Sequence, residues 1–329
     1  VRLGADAYYS GDTLMGASLK LNDAIIRGEE HPDMVELLNR DFTFMTGNMY
    51  GAKDRRNTQD GDWQEKTLPL GQWIRGGGTG KDAWGLSRHP VGKDKSGASI
   101  VLAKALGGKR TDRAIETMGA IGIDIDSGAK RDEVVDKLVE LGLFATVYTS
   151  FSNGKTELVL KHDDIVKKLK LDGSPDINDI RQYLIGHHKD QFDRQFIDQI
   201  EIVELRKQTE NGVNTVLKTP PLDKFRVIIP LREPVHLLDL GDTTVEYKTA
   251  WENAVCGVAV NLLGVSFDAT SCDVNRLFYT PRHPKGGDWA CYVVQGRPLR
   301  FEEIKPHSKA SYIRNRAGAD AIAMAGGAD

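Results

Sequence analysis

Two aspartates, one residue apart, offer the clearest chemistry in the chain. Asp124 and Asp126 close the stretch Gly119-Ala-Ile-Gly-Ile-Asp-Ile-Asp-Ser-Gly128, in which Ile121, Ile123 and Ile125 interleave with small or acidic residues. β-Branched residues in strict alternation predict a buried strand. Side chains two apart on a strand leave by the same face, so both carboxylates are expected together at its end. Two such groups repel and raise each other's pKa unless a cation holds them. Paired hard oxygens suit Mg²⁺ or Mn²⁺. The plainer alternative is a strand-end turn, with Asp126, Ser127 and Gly128 capping the helix that follows.

Other stretches carry phosphate chemistry. Thr149-Ser-Phe-Ser-Asn-Gly-Lys155 ends a second β-rich run with hydroxyls, an amide and a lysine, a set that cradles a phosphate or simply makes a polar turn. In Lys224-Phe-Arg-Val-Ile-Ile-Pro-Leu231 the period of two puts Lys224, Arg226 and Ile228 on one face and Phe225, Val227 and Ile229 on the other. Farther on, Asp268 follows the apolar Val265-Ser-Phe and is expected at a strand's end, with Arg276 downstream in Asp273-Val-Asn-Arg-Leu-Phe-Tyr-Thr-Pro281. Arg75-Gly-Gly-Gly-Thr-Gly-Lys81 is no P-loop, because Arg75 and Asp82 stand where that motif needs Gly and Ser/Thr. A flexible loop is expected there, with glycines that allow close backbone approach. His187 and His188 are adjacent, so they point apart on a helix and read as surface residues.

The elements that must position these groups follow from pattern and composition. With 329 residues, 40% hydrophobic and 28% charged, the chain has the makings of a globular core and of more than one domain. No apolar run is long enough to span a bilayer and no signal peptide stands at the start, so an intracellular protein is expected. Cys256, Cys272 and Cys291 are widely spread, which argues against a disulfide framework and a zinc site. Starting at Val1 and ending in Ala-Gly-Gly-Ala-Asp329, the chain reads as a piece of a longer protein.

The formal charge is only −3, but it is unevenly spread: residues 75–113 hold nine Lys/Arg against three Asp, and 276–300 hold five against one. Such stretches suit a phosphate backbone or a solvated surface. Residues 1–65 read as a helical accessory region, with helices over Asp12–Ile26 and Pro32–Asn39 and a loop from Thr46 to Asp62. A third helix is expected over Ser99–Leu106. Lys130–Leu141 has helical apolar spacing and a stop at Gly142. Strand, helix, strand favours an α/β or α+β core. Residues 156–222 read as a charged, mostly helical insertion, notably Asp176–His187 and Asp190–Leu205. A long helix over Asp242–Leu263, a strand at Cys291–Val294 and a tail helix over Ser308–Met324 complete the pattern.

In this order the motifs resemble the archaeo-eukaryotic primase superfamily, in particular the primase-polymerases of phages and plasmids. An Asp-x-Asp strand, a Thr/Ser-rich strand end, the "FRVIIPL" strand and a lone apolar-Asp pair eight residues before the Arg of "NRLFYTP" carry the resemblance, over roughly residues 70–300. It implies an α+β fold with an RRM-like antiparallel or mixed sheet flanked by helices. The catalytic domain would span 66–305, with 156–222 as the insertion and 306–329 as a C-terminal helix or linker.

The resemblance also implies DNA-templated, two-metal nucleotidyl transfer in replication. Asp124, Asp126 and Asp268 would hold Mg²⁺ or Mn²⁺, with Asp273 as the alternative third ligand. The family's Ser-x-His motif has no histidine here, since Phe151 or Ser152 takes its place. Triphosphate binding would then fall to Ser150, Ser152, Lys155, Arg226 and Arg276. Implied partners are a single-stranded DNA template, (d)NTPs and a helicase domain or protein beyond Asp329. Two other readings remain: a catalytically weak DNA-binding replication-initiation module on the same fold, and a haloacid-dehalogenase-type phosphatase with Asp124 as nucleophile. The phosphatase reading meets Ser127 where Thr or Val is usual.

Overall fold

The isoleucine alternation does build a strand, and the chain is organised around it. The computed structural model describes residues 20–21, 23–49, 63–188, 192–210 and 212–313. Strands β1 (Lys20–Leu21) and β2 (Ala24–Arg27) precede α1 (Pro32–Asn39), β3 (Asp41–Met49), β4 (Gln64–Pro69) and α2 (Leu70–Arg75). Next come β5 (Gly97–Val101), β6 (Ala103–Ala105), β7 (Ile115–Ile125), α3 (Arg131–Glu140) and β8 (Ala145–Thr149). A middle stretch holds β9 (Lys155–Lys161), α4 (His162–Leu169), α5 (Ile177–Gly186), α6 (Arg194–Asp198), β10 (Glu201–Thr209) and β11 (Gly212–Leu222). Then follow β12 (Phe225–His236), α7 (Thr244–Gly257), β13 (Phe278–Tyr279) and β14 (Cys291–Val294).

The architecture is α+β. A mixed seven-stranded sheet runs β1-β2-β14-β8-β12-β7-β6; only β2 and β14 pair in parallel. Its two faces bury different residues of the same strands, as the period of two requires. Ile121, Ile123, Ile125, Val227 and Ile229 pack with Val134 and Leu138 of α3 and Trp251 and Val255 of α7. Ala120 and Ile228 face the other way, toward α1, α2 and the aromatic residues of a second sheet, β13-β5-β3-β4. Gly122 lies beneath that layer: a Cβ there would fall 2.6 Å from the Phe278 ring, so the strand nearest the carboxylates has to be small on that side.

Local signals set the helix ends. Thr243 and Glu246 form a reciprocal capping box that starts α7, and Gly142 (φ +60°) stands just past α3 as the stop its sequence suggested. The helix expected over Asp242–Leu263 is α7 continued by a π-helical turn, Val258–Leu263.

Several expectations need correction. Among the described residues of 1–65, the helical reading holds for α1 alone; Ala24–Arg27 is a strand in the main sheet, and Thr46–Met49 continue strand β3. The rest of the Asp12–Ile26 and Thr46–Asp62 readings lies largely outside the described residues. Ser99–Leu106 forms β5, β6 and the start of a short 3₁₀ turn, not a helix. The 156–222 insertion is mixed rather than mostly helical: β10-β11-β9 form an antiparallel sheet against α4–α6, with Leu160, Ile165, Leu184, Phe196 and Leu217 in a core of their own. Among the described residues of Asp190–Leu205 the five of α6 are α-helical, and the stretch then enters β10. Of the tail helix, residues 309–313 are helical and the remainder lies outside the described residues.

Candidate nucleotide-binding site

Strand pairing brings the acidic and basic motifs face to face. In the β12–β7 ladder Arg226 stands directly opposite Asp124, and in the β12–β8 ladder it stands opposite Tyr148. Arg226 donates from Nε to Asp124 Oδ1 (3.0 Å) and from Nη2 to Oδ2 (3.4 Å), while Nη1 donates to the Tyr279 carbonyl (2.8 Å). Each nitrogen of its guanidinium thus donates at the strand end, and two of them fix Asp124 bidentately. Lys224, two residues earlier on the same face, donates to Asp126 Oδ2 at 3.1 Å. The cations needed to keep two adjacent carboxylates ionised are therefore, in part, the protein's own.

Asp268 joins this pair through the main chain. Its N–H donates to the Asp124 carbonyl (2.9 Å), and the Asp124 N–H donates to Ser271 Oγ (2.9 Å). Asp268 is not at a strand's end as expected; it caps the 3₁₀ turn Ala269–Cys272, its Oδ1 accepting from Thr270 N. That leaves Oδ2 for Arg276, whose Nη2 lies 2.8 Å from Asp268 Oδ2 and 3.3 Å from Asp124 Oδ2. One cationic nitrogen sits between the two carboxylates. Asp273, the alternative third acid, instead accepts from Lys309 at 2.8 Å.

Asp124 is 8% exposed. Burial alone would raise its pKa, but Arg226 and Arg276 outweigh it and hold the carboxyl below its ordinary range. The reciprocal effect drives Arg226 upward despite its burial. Tyr148, buried under Arg226, is pushed up to about 12 and stays a neutral phenol.

These groups line a cavity of about 460 Å³ in which six cationic side chains meet four aspartates. Ser150, Ser152, Asp124, Asp126, Asp268, Arg226 and Arg276 are all on its wall. Lys155 is not: it is exposed at the start of β9, paired with Leu222, and the chain there has already turned away. Sequence reasoning did not single out Lys95, Arg110 and Arg282, although all three fall in the two basic stretches. Arg282 is held by the carbonyls of Ser96 and Ala98, and Arg110 donates to the Asn275 carbonyl and lies over the Trp63 ring. Burial lowers both their pKa values, the expected cost of gathering cations in one cleft.

None of the wall residues is a histidine. His89 sits behind the end of β8 instead, its Nε2 3.0 Å from the Thr149 carbonyl and its Nδ1 3.0 Å from His283 Nδ1, with Trp289 stacked on both rings.

The donor chemistry fits a hard divalent ion, since two carboxylates already converge on one cationic atom. Among the described residues, however, no three Asp, Glu, His or Cys side chains come together as a ready metal cluster. Among them, too, no helix is long and apolar enough to cross a membrane.

No family model and no curated protein matches the chain. Among solved structures it is similar to the AEP domain of the cyanophage S-2L primase-polymerase, at 12% identity and a TM-score of 0.34, over 82% of this chain and 92% of that one. A likeness at that level leaves the site to be read from its own geometry.

Proposed function

We propose that the chain is a templated nucleotidyltransferase, a primase-polymerase that joins (d)NTPs with Mg²⁺ or Mn²⁺. The convergence of Asp124 and Asp268 on one nitrogen of Arg276, at the wall of a cation-rich cleft, is the observation that carries this reading. Asp124 and Asp268, with Asp126 beside them, would hold the ion. The bound ion would activate a primer hydroxyl and neutralise charge on the transferring and leaving phosphates.

The protein's own groups have distinct parts. Arg226, with each of its three nitrogens already donating, positions Asp124. Arg276 is the exchangeable cation: its planar fork suits phosphate oxygens as well as carboxylates, and turning toward a triphosphate would free the Asp124–Asp268 pair. Ser150 and Ser152 supply hydroxyls on the wall of the same cleft, in place of the absent histidine.

The test is extension of a primer on single-stranded template with labelled nucleotides in each metal, beside Asp124→Asn and Asp268→Asn. Extension by the native protein, with a loss on the order of a hundredfold or more in either variant, is expected. Absence of extension, or full activity in both variants, would refute the reading.

A second reading, a DNA-binding module without catalysis, draws on the engagement of all three aspartates by Lys224, Arg226 and Arg276. It would be favoured by template binding with no extension. The phosphatase reading fares worse, because a nucleophilic Asp124 needs an oxygen free to attack and both of its oxygens are held by arginines.

A further inference from the structure

The glycine run Arg75–Lys81, which makes no P-loop, instead builds the turn that carries Trp84. Gly77 and Trp84 exchange backbone hydrogen bonds at 3.0 Å each. Gly76 (φ +63°) and Gly85 (φ +114°) lie in the left-handed region beside this bridge, and a Cβ at Gly76 would fall 1.7 Å from the Trp84 carbonyl oxygen. Only glycine fits there. The indole lies over Gly77, where a Cβ would be 3.1 Å from Nε1, so one face is backed by main chain. Trp84 is 42% exposed and is the one aromatic among the exposed large apolar side chains of the described residues. A turn that only glycine fits thus displays a tryptophan outside the buried cores.

What Trp84 overlooks is a groove of about 640 Å³ on the second sheet, floored by Trp73 and edged by Asn48, Gln64, Gln72 and Lys66. One cation, the exposed Lys66, lines it, while the turn that carries Trp84 holds the exposed Arg75 and Lys81 beside the exposed Asp82. The groove also runs up to the cation-rich cleft. Thr280 belongs to both walls, and the neighbours Asn48 and Met49 face one each. An exposed aromatic face, amides able to pair with base edges and a lysine at the edge are parts of a single-strand platform, in which bases stack and cations meet the phosphates.

We propose that this groove binds single-stranded nucleic acid, with one base stacked on Trp84 and the backbone passing along Lys66 toward the cleft. On the reading of the cleft given above, the strand is the template, and the shared wall at Thr280 is where it meets the incoming nucleotide. The amides allow a base to be held without demanding one identity, as a template site must.

Fluorescence anisotropy with a fluorescein-labelled single-stranded oligonucleotide tests this, using the full chain, Trp84→Ala, Trp84→Phe and Lys66→Ala, with binding of a nucleoside triphosphate measured in parallel. Trp84→Ala should weaken oligonucleotide binding on the order of tenfold, with Trp84→Phe restoring most of it. Lys66→Ala should lower the salt slope of binding by about one. Triphosphate affinity should stay unchanged in all three variants. Undiminished oligonucleotide affinity in Trp84→Ala overturns the proposal. So does a fall in sedimentation coefficient of Trp84→Ala with affinity intact, which would make the groove an interface between copies of the chain. Failure of the native protein to bind triphosphate would instead count against the reading of the cleft, whatever the oligonucleotide does.

Discussion

The cleft at the end of β7 and the groove beneath Trp84 lie side by side yet are built on opposite principles. In the cleft, position is fixed by charge: Arg226 locks Asp124, Lys224 holds Asp126, and Arg276 spans Asp124 and Asp268. In the groove, position is fixed by backbone: Gly76 and Gly85 adopt conformations closed to other residues so that an uncharged ring can stand free. Charge placed by charge suits a ligand whose recognition is ionic, such as a polyphosphate. A ring placed by glycine suits a ligand recognised by its flat face. The two surfaces therefore should fail independently and under different insults.

Breaking the charge frame should have the largest effect. Arg226→Met leaves a buried carboxylate without its bidentate partner, and a loss of roughly 3–5 kcal/mol in urea unfolding is expected. Adding Asp124→Asn to it should recover part of that loss. A cost below about 1 kcal/mol would mean that Arg226 does not organise the strand end.

Acid should come next, acting through the histidine pair behind β8. Burial, opposed in part by the hydrogen bond to the Thr149 carbonyl, pushes the His89 pKa down to about 4. A depressed histidine favours the folded state fully above its unfolded pKa, near 6.5, and that contribution is lost as pH falls through the folded value. Stability should thus decline between about pH 6.5 and pH 4, by on the order of 3 kcal/mol, and His89→Gln should flatten that slope. An unchanged slope in the variant would assign it to other groups.

Breaking the glycine frame should cost less stability but act more selectively. Gly76→Ala forces a side chain into the left-handed region and against the Trp84 carbonyl, with an expected penalty of roughly 1–3 kcal/mol. Oligonucleotide binding should fall while triphosphate binding survives. Loss of both would show that groove and cleft are one mechanical unit. The smallest effect is expected of Lys155→Ala: lying off the cleft wall, it should leave triphosphate affinity within about twofold, in line with the small energies of exposed charges.

The same contrast explains what could be read from sequence. The cleft's frame was legible because alternation sorts β7 and β12 into faces, and Asp124, Asp126, Lys224 and Arg226 stand on the faces that pattern predicts. Arg276 and Asp268 were legible as types in order, but not the meeting of Asp124 and Asp268 on one nitrogen of Arg276, which depends on the 3₁₀ turn stitched to Asp124. Lys155 lies off the cleft wall because the chain enters β9 of the smaller β10-β11-β9 sheet immediately after Gly154. The groove was hidden for another reason. Its strand β5 and the following β6 of the main sheet place Ile100, Val101, Ala103 and Ala105 at spacings that mimic a helix, and only pairing with β3 and β7 decides the matter. Likewise β10 is charged on both faces and becomes a strand by pairing with β11. The glycine run showed a need for tight backbone, while its beneficiary, Trp84, was visible only once the turn was folded.

Titration of a nucleoside triphosphate into the protein, with and without Mn²⁺ and followed by calorimetry, addresses the cleft most directly. Native protein should bind the triphosphate more tightly with Mn²⁺; Asp124→Asn should lose only the metal-dependent increment, and Arg276→Ala should bind weakly in both conditions. No triphosphate binding, or an affinity indifferent to Mn²⁺ and to Asp124→Asn, would contradict the assignment of this cleft to nucleotidyl transfer.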